Sequence, residues 1–183
     1  MEPMTDTEMD RFIGPPLDDS FEKYCHVSRE KAKEMVLDFR GYYHVKGIDK
    51  FVIYPCIEEA IKVLKAKGII VAIATSKPEP MAIHILKKAG LFDYFDVIQG
   101  ATLDGSLIKK ADIVKHVLEH ELIKGKKTLM VGDTEFDIIG AHKNSIAALW
   151  VNYGFGTVEA AMAENPEYAL DTGEEMVEFF KAF

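Results

Sequence analysis

The sequence is poor in cysteine, in net basic charge and in long apolar runs, and each shortage excludes a class of protein. Its two cysteines, Cys25 and Cys56, form neither a metal-ligand spacing nor a disulfide framework, which is typical of a protein in a reducing compartment. The 183 residues include 22 Lys and Arg against 30 Asp and Glu, so the formal net charge is −8. An acidic balance argues against nucleic acid or an anionic membrane surface as the main partner.

Apolar residues are plentiful, but they are spread along the chain. They make up 48% of the sequence, which is enough for a buried core. No apolar run is long enough to span a membrane, and the opening residues MEPMTDTEMDR contain no apolar signal core. We therefore expect a cytoplasmic protein that has no membrane partner.

The pattern of the chain changes near Gly47, from helical segments to strands that alternate with helices. Before that point, Ser28 is a good N-cap for a helix that runs to about Tyr43. After it, an amphipathic helix pattern begins at Ile57, and short apolar runs typical of buried parallel strands follow. This alternation indicates an α/β fold with a doubly wound parallel sheet. We expect a helical domain over 1–47 and an α/β core over 48–183.

Such sheets bind their ligands at the carboxyl ends of the strands, so the residues at those ends are the candidates for a site. The predicted strands are 69–74, 95–98, 128–131, 146–151 and a short one near Tyr168.

The strongest candidate is the stretch TLMVGDTEFD, over 128–137, which reads as a buried strand, a tight turn and the start of a helix. Asp133 comes where the strand ends, and Asp137 returns to the same side one helical turn later. Two carboxylates at the end of a buried strand are costly without a positive charge between them, and Mg²⁺ meets that need. In the alternative interpretation, Asp133 caps the helix and Asp137 faces solvent.

Two other strand ends carry groups suited to an anion. Thr75, Ser76 and Lys77 follow the apolar run 69–74, where hydroxyls and free helix N–H groups would form an oxyanion site. Lys109 and Lys110 stand at a predicted helix start, where a cation opposes the helix dipole unless it faces an anion. The alternatives are that Thr75 or Ser76 only caps a helix and that the lysines are solvated.

Several segments together resemble the haloacid dehalogenase-like phosphohydrolases, most closely the phosphoglycolate phosphatase-like group with a helical cap. They are FIGPPLDDSF, YPCIEEAIKVLKAKGIIVAIATSKP, KKADIVKHVL, and VGDTEFDIIGAHKN followed by VNYGFGT. The resemblance implies that Thr75 binds phosphate, with Ser76 where an Asn often stands, and that Lys110 is the third-motif lysine. It implies that Asp133 and Asp137 hold Mg²⁺.

The resemblance also assigns the opening segment. It implies that residues 1–47 are part of a helical cap and that Gly14, Pro15 and Pro16 form its loop over the site. Arg40 and, in the core, Lys77 would help to hold the substrate.

One motif of the family is missing from this sequence. The first motif is an apolar strand followed by DxDGT, whose first Asp is the nucleophile that becomes aspartyl phosphate and whose second is the general acid and base. The acids of 6–8 follow no apolar strand, and a polar terminus or a helix cap explains them more simply.

The missing strand has a structural consequence as well. In the family it lies between the strand ending at Thr75 and the strand ending at Asp133, so two strands are expected to have unpaired edges here. We interpret the pattern as a truncated or misassigned N-terminus and expect this chain to be inactive or severely impaired.

Three functions fit these residues. The first is a Mg²⁺-dependent phosphatase of small phosphorylated metabolites, such as phosphoglycolate or a nucleotide, as a monomer or homodimer. The second is a non-catalytic module of the same fold that binds phosphate and metal. The third is a phospho-acceptor receiver domain, against which the helical opening segment and the late position of both acids argue.

Overall fold

Helices alone form the first unit of the structure, and parallel strands with helices form the second. The computed structural model describes residues 4–182, which divide into two units at the Phe51–Val52 junction. The sequence-based boundary was a few residues earlier, after Gly47. Helical backbone continues after the predicted helix, through Tyr43–Gly47, as a π-helical turn.

The described residues of the first unit form three α-helices, α1 (Asp6–Asp10), α2 (Leu17–Cys25) and α3 (Arg29–Tyr42). The predicted cap of α3 is confirmed, since the hydroxyl of Ser28 accepts a hydrogen bond from the Lys31 N–H at 3.3 Å. Glu8 lies within α1, while the side chains of residues 6 and 7 lie outside the described part of the chain.

The second unit begins with α4 and alternates helices with short strands. Its helices are α4 (Ile57–Ala66), α5 (Glu79–Lys88), α6 (Lys110–Glu119), α7 (Glu135–Lys143), α8 (Val158–Ala163) and α9 (Gly173–Ala182). Its strands are β1 (Ala72–Pro78), β2 (Val97–Ala101), β3 (Leu129–Gly132), β4 (Ala147–Val151) and β5 (Tyr168–Leu170). Among residues 4–182, no helix combines the length and the apolar character needed to cross a membrane.

The strands form two parallel sheets, one with the order β1-β2 and one with the order β3-β4-β5. In the first, Ala72 is opposite Val97, and in the second Leu129 is opposite Ala147. The α/β class with parallel strands is therefore confirmed. β1 and β3 stand at the ends of the two sheets, each with one partner in the described chain, as expected for a sheet that lacks the central strand between them.

The core of the second unit lies around β4. One cluster packs β4 against α4 and α9, through the buried residues Ala60, Leu149, Val151, Met176, Val177 and Phe180. A second cluster packs the other residues of β4 against α7 and α8, through Ile138, Ala141, Ala148, Trp150 and Ala161. Both faces of β4 are thus covered, which explains its continuous apolar sequence.

Strand β1 begins later than predicted and extends further. Gly68, with φ +70°, ends α4, and the Ile69 N–H donates to the carbonyl of Leu64 at 3.1 Å. This is the hydrogen bond of a Schellman motif, so Ile69 belongs to the closing turn of the helix and not to the strand. The strand then includes Thr75, Ser76 and Lys77 and ends at Pro78.

Candidate phosphate and metal site

Asp133 directly follows β3 and is held by the loop that follows β4. Its Oδ2 atom accepts a hydrogen bond from the Phe155 N–H at 2.9 Å, and its carbonyl accepts one from Trp150 Nε1 at 2.9 Å. The loop approaches so closely that a Cβ atom on Gly154 would lie 2.2 Å from the Cβ of Asp133. A Cβ atom on Gly156 would lie 2.1 Å from the Asp133 carbonyl oxygen. These two glycines therefore allow the loop to fix the carboxylate.

Asp137 lies in the first turn of α7 and is buried, with only 6% of its surface exposed. Its Oδ2 atom accepts hydrogen bonds from the N–H of Thr134 at 3.1 Å and from the Thr134 hydroxyl at 2.9 Å. Its Oδ1 atom lies 2.9 Å from Nζ of Lys110. The alternative that Asp137 faces solvent is therefore wrong. Asp133 does not cap α7 either, because Thr134 occupies the N-cap position.

Lys110 bonds to two elements of the second unit, β1 and α7. Besides its ion pair with Asp137, its Nζ donates to the main-chain carbonyl of Ala74 in β1 at 3.0 Å. Its side chain passes over Gly140 of α7, where an added Cβ would lie 2.9 Å from the Lys110 Cγ. The neighbouring Lys109 is exposed. One lysine of the pair thus points inward and the other outward.

Thr75 and Ser76 lie in the irregular last part of β1, where the pairing with β2 shifts between Thr75 and Pro78. The Thr75 hydroxyl accepts a hydrogen bond from the Lys77 N–H at 3.1 Å. The Ser76 hydroxyl is buried and has no hydrogen-bond partner among the described residues. The helix-cap interpretation is wrong for both, because the N-cap of α5 is Pro78.

An unpartnered buried hydroxyl is costly, by roughly 1–3 kcal/mol. A bound oxyanion that accepts a hydrogen bond from Ser76 would remove this cost. Thr75 and Ser76 directly follow Ala74, whose carbonyl bonds Lys110, so the same part of β1 brings the two hydroxyl residues near the ammonium group that also pairs with Asp137.

The carboxylates fit a hard divalent cation. Mg²⁺ is commonly bound by one or two carboxylates, with water and phosphate oxygens at its other positions. Within residues 4–182, no group of three or more His, Cys, Asp or Glu side chains is arranged to hold a metal ion. Gly14, Pro15 and Arg40 lie in the first unit, and their role towards a substrate stays a prediction.

Two tyrosines near Asp133 were not identified as site residues from the sequence. The rings of Tyr54 and Tyr153 meet edge to face, with centroids 5.5 Å apart. Burial, and secondly the charge of Asp133, raises the pKa of Tyr153 to about 12, and the same causes raise the pKa of Tyr54. The Tyr153 hydroxyl donates to the sulfur of Met176 at 3.3 Å. In the sequence, Tyr54 begins the segment YPCIEEAIKVLKAKGIIVAIATSKP and Tyr153 lies in VNYGFGT, two of the segments that carry the family resemblance.

Parallel strands whose carboxyl ends carry paired carboxylates, a lysine and hydroxyls are the arrangement of an α/β phosphohydrolase. Residues 1–151 match the family described as haloacid dehalogenase-like hydrolase. The chain belongs to the haloacid dehalogenase-like hydrolase family, which confirms the resemblance noted in its sequence.

Named relatives agree with this assignment. The chain is 31% identical over 160 residues to a 5′-nucleotidase of Pseudomonas aeruginosa. This match covers 87% of this chain and 72% of that protein. It is 31% identical over 175 residues to a phosphoglycolate phosphatase of Vibrio parahaemolyticus, over 92% of this chain and 74% of that protein. A solved structure of a predicted phosphatase from Clostridium acetobutylicum superimposes with a TM-score of 0.95 at 33% identity. That match covers 100% of this chain and 85% of the other.

Proposed function

We propose that this chain carries the phosphate and Mg²⁺ site of a phosphatase that acts on small phosphorylated metabolites, of the phosphoglycolate or nucleotide type. The observation that carries the proposal is the position of Lys110, whose ammonium bonds both the Ala74 carbonyl of β1 and the buried Asp137. Relatives named as a 5′-nucleotidase and a phosphoglycolate phosphatase support the substrate class.

The roles of the residues follow from their chemistry. Lys110 and the hydroxyls of Thr75 and Ser76 would bind the phosphoryl oxygens, because positioning and charge neutralisation supply most of the catalysis in phosphoryl transfer. Mg²⁺ bound by Asp133 and Asp137 would neutralise the remaining negative charge of the phosphoryl group. The loop N–H of Phe155 and the hydroxyl and N–H of Thr134 keep the two carboxylates in place.

The printed sequence contains no DxDGT motif, so it offers no motif residue for the nucleophile. We therefore propose that this chain by itself binds phosphate and Mg²⁺ but hydrolyses phosphate esters slowly or not at all. The second candidate function, a non-catalytic phosphate and metal module of the same fold, is favoured by this same observation and makes the same binding prediction.

Calorimetry with inorganic phosphate, with and without Mg²⁺, tests the site. We expect Lys110→Ala to weaken phosphate binding at least tenfold and the matched variant Lys109→Ala to leave it nearly unchanged, because Lys109 is exposed. Equal effects of the two substitutions, or phosphate binding that does not respond to either, would contradict the assignment of Lys110.

Turnover separates the two candidate functions. p-Nitrophenyl phosphate, 2-phosphoglycolate and a nucleoside monophosphate are suitable substrates for the 183-residue chain. Release of phosphate that depends on Mg²⁺ and disappears in Asp133→Ala would exclude the non-catalytic module. Phosphate binding with no turnover of any of the three would favour it.

A further inference from the structure

Helix α3 and the turn that follows it carry an apolar stripe on their solvent side. Leu37, Tyr42 and Val45 are 68%, 70% and 72% exposed. Gly41 lies among them and is also exposed, and a Cβ atom added to it would meet nothing within 4 Å. Single exposed apolar residues are ordinary, but a contiguous patch marks an interaction surface. We call these four residues the outer stripe.

The outer stripe points away from the packed side of α3. This helix packs against α2, and its buried residues are Ala32 and Val36. Each residue of an α-helix is rotated by about 100° from the residue before it. Leu37 and Gly41 are therefore turned by about 100° or more from both buried residues, and they share one face of the helix.

A widened turn keeps Val45 on this face. Residues Tyr43–Gly47 form a π-helical turn, which is closed by a hydrogen bond from the Ile48 N–H to the Tyr43 carbonyl at 2.7 Å. A π-helical hydrogen bond spans one residue more than an α-helical one, so residues four to five positions apart lie above one another. Val45 therefore lies in line with Gly41, and the stripe continues past the end of α3.

The charged residues beside the stripe change sign at Gly41. Asp38 comes three positions before Gly41 and Lys46 five positions after it, and both are exposed. Two parallel copies of α3 would place Asp38 beside Asp38 and Lys46 beside Lys46, which is repulsive. Two antiparallel copies that cross near Gly41 place Asp38 of each copy beside Lys46 of the other, and this pairing of opposite charges favours the antiparallel arrangement. The same arrangement places Leu37 of each copy beside Val45 of the other.

We propose that the outer stripe binds a second copy of this chain, as an antiparallel pair of α3 helices with a two-fold axis near Gly41. Every contact then occurs twice, as the symmetry of a homodimer requires. Gly41 has no side chain, so the two helices can approach closely where they cross.

A second copy fits the stripe better than an unrelated protein, because one stripe supplies both halves of each apolar contact and of each charge pair. Of the monomer and the homodimer that the sequence left open, the proposal selects the homodimer. It does not depend on turnover and stands apart from the proposed phosphatase activity.

The interface is small, so the dimer is weak. Stable protein interfaces bury about 1,600 Å², which is more than one helix face from each copy offers. We expect a dissociation constant between about 1 µM and 1 mM. Below this range of concentration the chain is a monomer, so the stability of α3 can be measured there without the dimer.

Sedimentation equilibrium of the full chain from about 1 µM to 1 mM measures the association. Leu37→Glu should raise the dissociation constant at least tenfold, because it places a carboxylate against the apolar Val45. Leu122→Glu is the matched control, since Leu122 is also exposed but lies outside the first unit, and it should change the constant less than threefold. A chain that stays monomeric at about 1 mM, or equal effects of the two substitutions, would overturn the proposal.

Charge reversal tests the antiparallel arrangement. In Asp38→Lys each charge pair becomes lysine against lysine, and in Lys46→Asp it becomes aspartate against aspartate. Each variant by itself should therefore dimerise at least fivefold more weakly than the unsubstituted chain. Mixed together, the two variants should associate within threefold of the unsubstituted affinity, because every pair again joins opposite charges. Fluorescence anisotropy of labelled Asp38→Lys, titrated with Lys46→Asp, measures this association. A mixture that associates no better than the separate variants would exclude the antiparallel pair.

Discussion

β3 and β4 are neighbours in one sheet and both read as apolar strands, but they differ in what surrounds them. β4 has a strand on each side and a helix cluster on each face, and Leu149 is 1% exposed. β3 has a strand on one side only among the described residues, and Val131 in its middle is 37% exposed. The comparison shows that an apolar sequence alone does not determine how buried a strand is. The burial of a strand also depends on how many strands and helices pack against it.

Removing side-chain volume from the two strands gives the largest expected contrast. Leu149→Ala should lower the free energy of unfolding by about 3–4 kcal/mol, because it leaves a cavity between β4, α4 and α9. Val131→Ala should lower it by about 1 kcal/mol or less, because part of that side chain is already in water. Urea denaturation followed by circular dichroism measures both values. Similar losses for the two variants would mean that β3 is as well packed as β4.

A smaller contrast concerns the end of β3, where Gly132 touches the side chain of Asp137. In Gly132→Ala the new Cβ would lie 2.2 Å from the Asp137 Cγ. Asp137 would have to give up bonds to Thr134 or Lys110, so we expect a loss of about 2 kcal/mol.

Gly41→Ala in α3 is the matched control for this substitution. No atom lies within 4 Å of the added Cβ, and alanine favours a helix over glycine by roughly 0.5–1 kcal/mol. The control should therefore be stabilising. Thermal or urea unfolding of the two variants in parallel measures the difference. Equal stability changes in the two variants would contradict the contact at Gly132.

The smallest effect concerns Tyr153, which follows β4 and is influenced by the charge of Asp133. Its pKa in the folded state is about 12, above the ordinary value of 10. The contribution of this raised pKa to stability is fully present below pH 10. It is lost as the pH rises from 10 to 12, because in this window the tyrosine ionises only in the unfolded state. The side chain is half-buried, so after allowance for solvent screening we expect about 1 kcal/mol.

Tyr153→Phe removes this ionisation and tests it. The loss of stability between pH 10 and 12 should become smaller in Tyr153→Phe but not in Tyr42→Phe, whose side chain is 70% exposed. Unfolding in urea at a series of pH values measures the difference. An unchanged pH dependence in Tyr153→Phe would show that the phenol is not shielded in the folded protein.

The class of fold could be predicted from the sequence because it depends on local patterns. A helix signal such as Ser28 acts on residues a few positions away, and Ser28 occupies the expected place. The start of β1 was wrong because Ile69 is apolar, yet its N–H closes the preceding helix. Apolar character does not separate a strand residue from the hydrophobic end of a Schellman motif.

The candidate site was predictable only in part, for a similar reason. The spacing of Asp133 and Asp137 follows from one helical turn and can be read along the chain. The bond between Lys110 and Ala74 joins residues 36 positions apart, and that between Phe155 and Asp133 joins residues 22 apart. No local pattern specifies such contacts. The burial of the Ser76 hydroxyl likewise depends on the packing of distant elements, so it was not foreseen.

The division of the strands into two sheets has a consequence for cooperativity. Because no backbone ladder runs from β1 to β3 in the described chain, the β1-β2 part and the β3-β4-β5 part share helix packing and the bonds of Lys110 rather than a continuous hydrogen-bond network. Such parts can open with different free energies, as separate foldons. β1 is less buried than β4 and would open first, so partial unfolding would release the hydroxyls of Thr75 and Ser76 while Asp133 and the core around β4 stay folded.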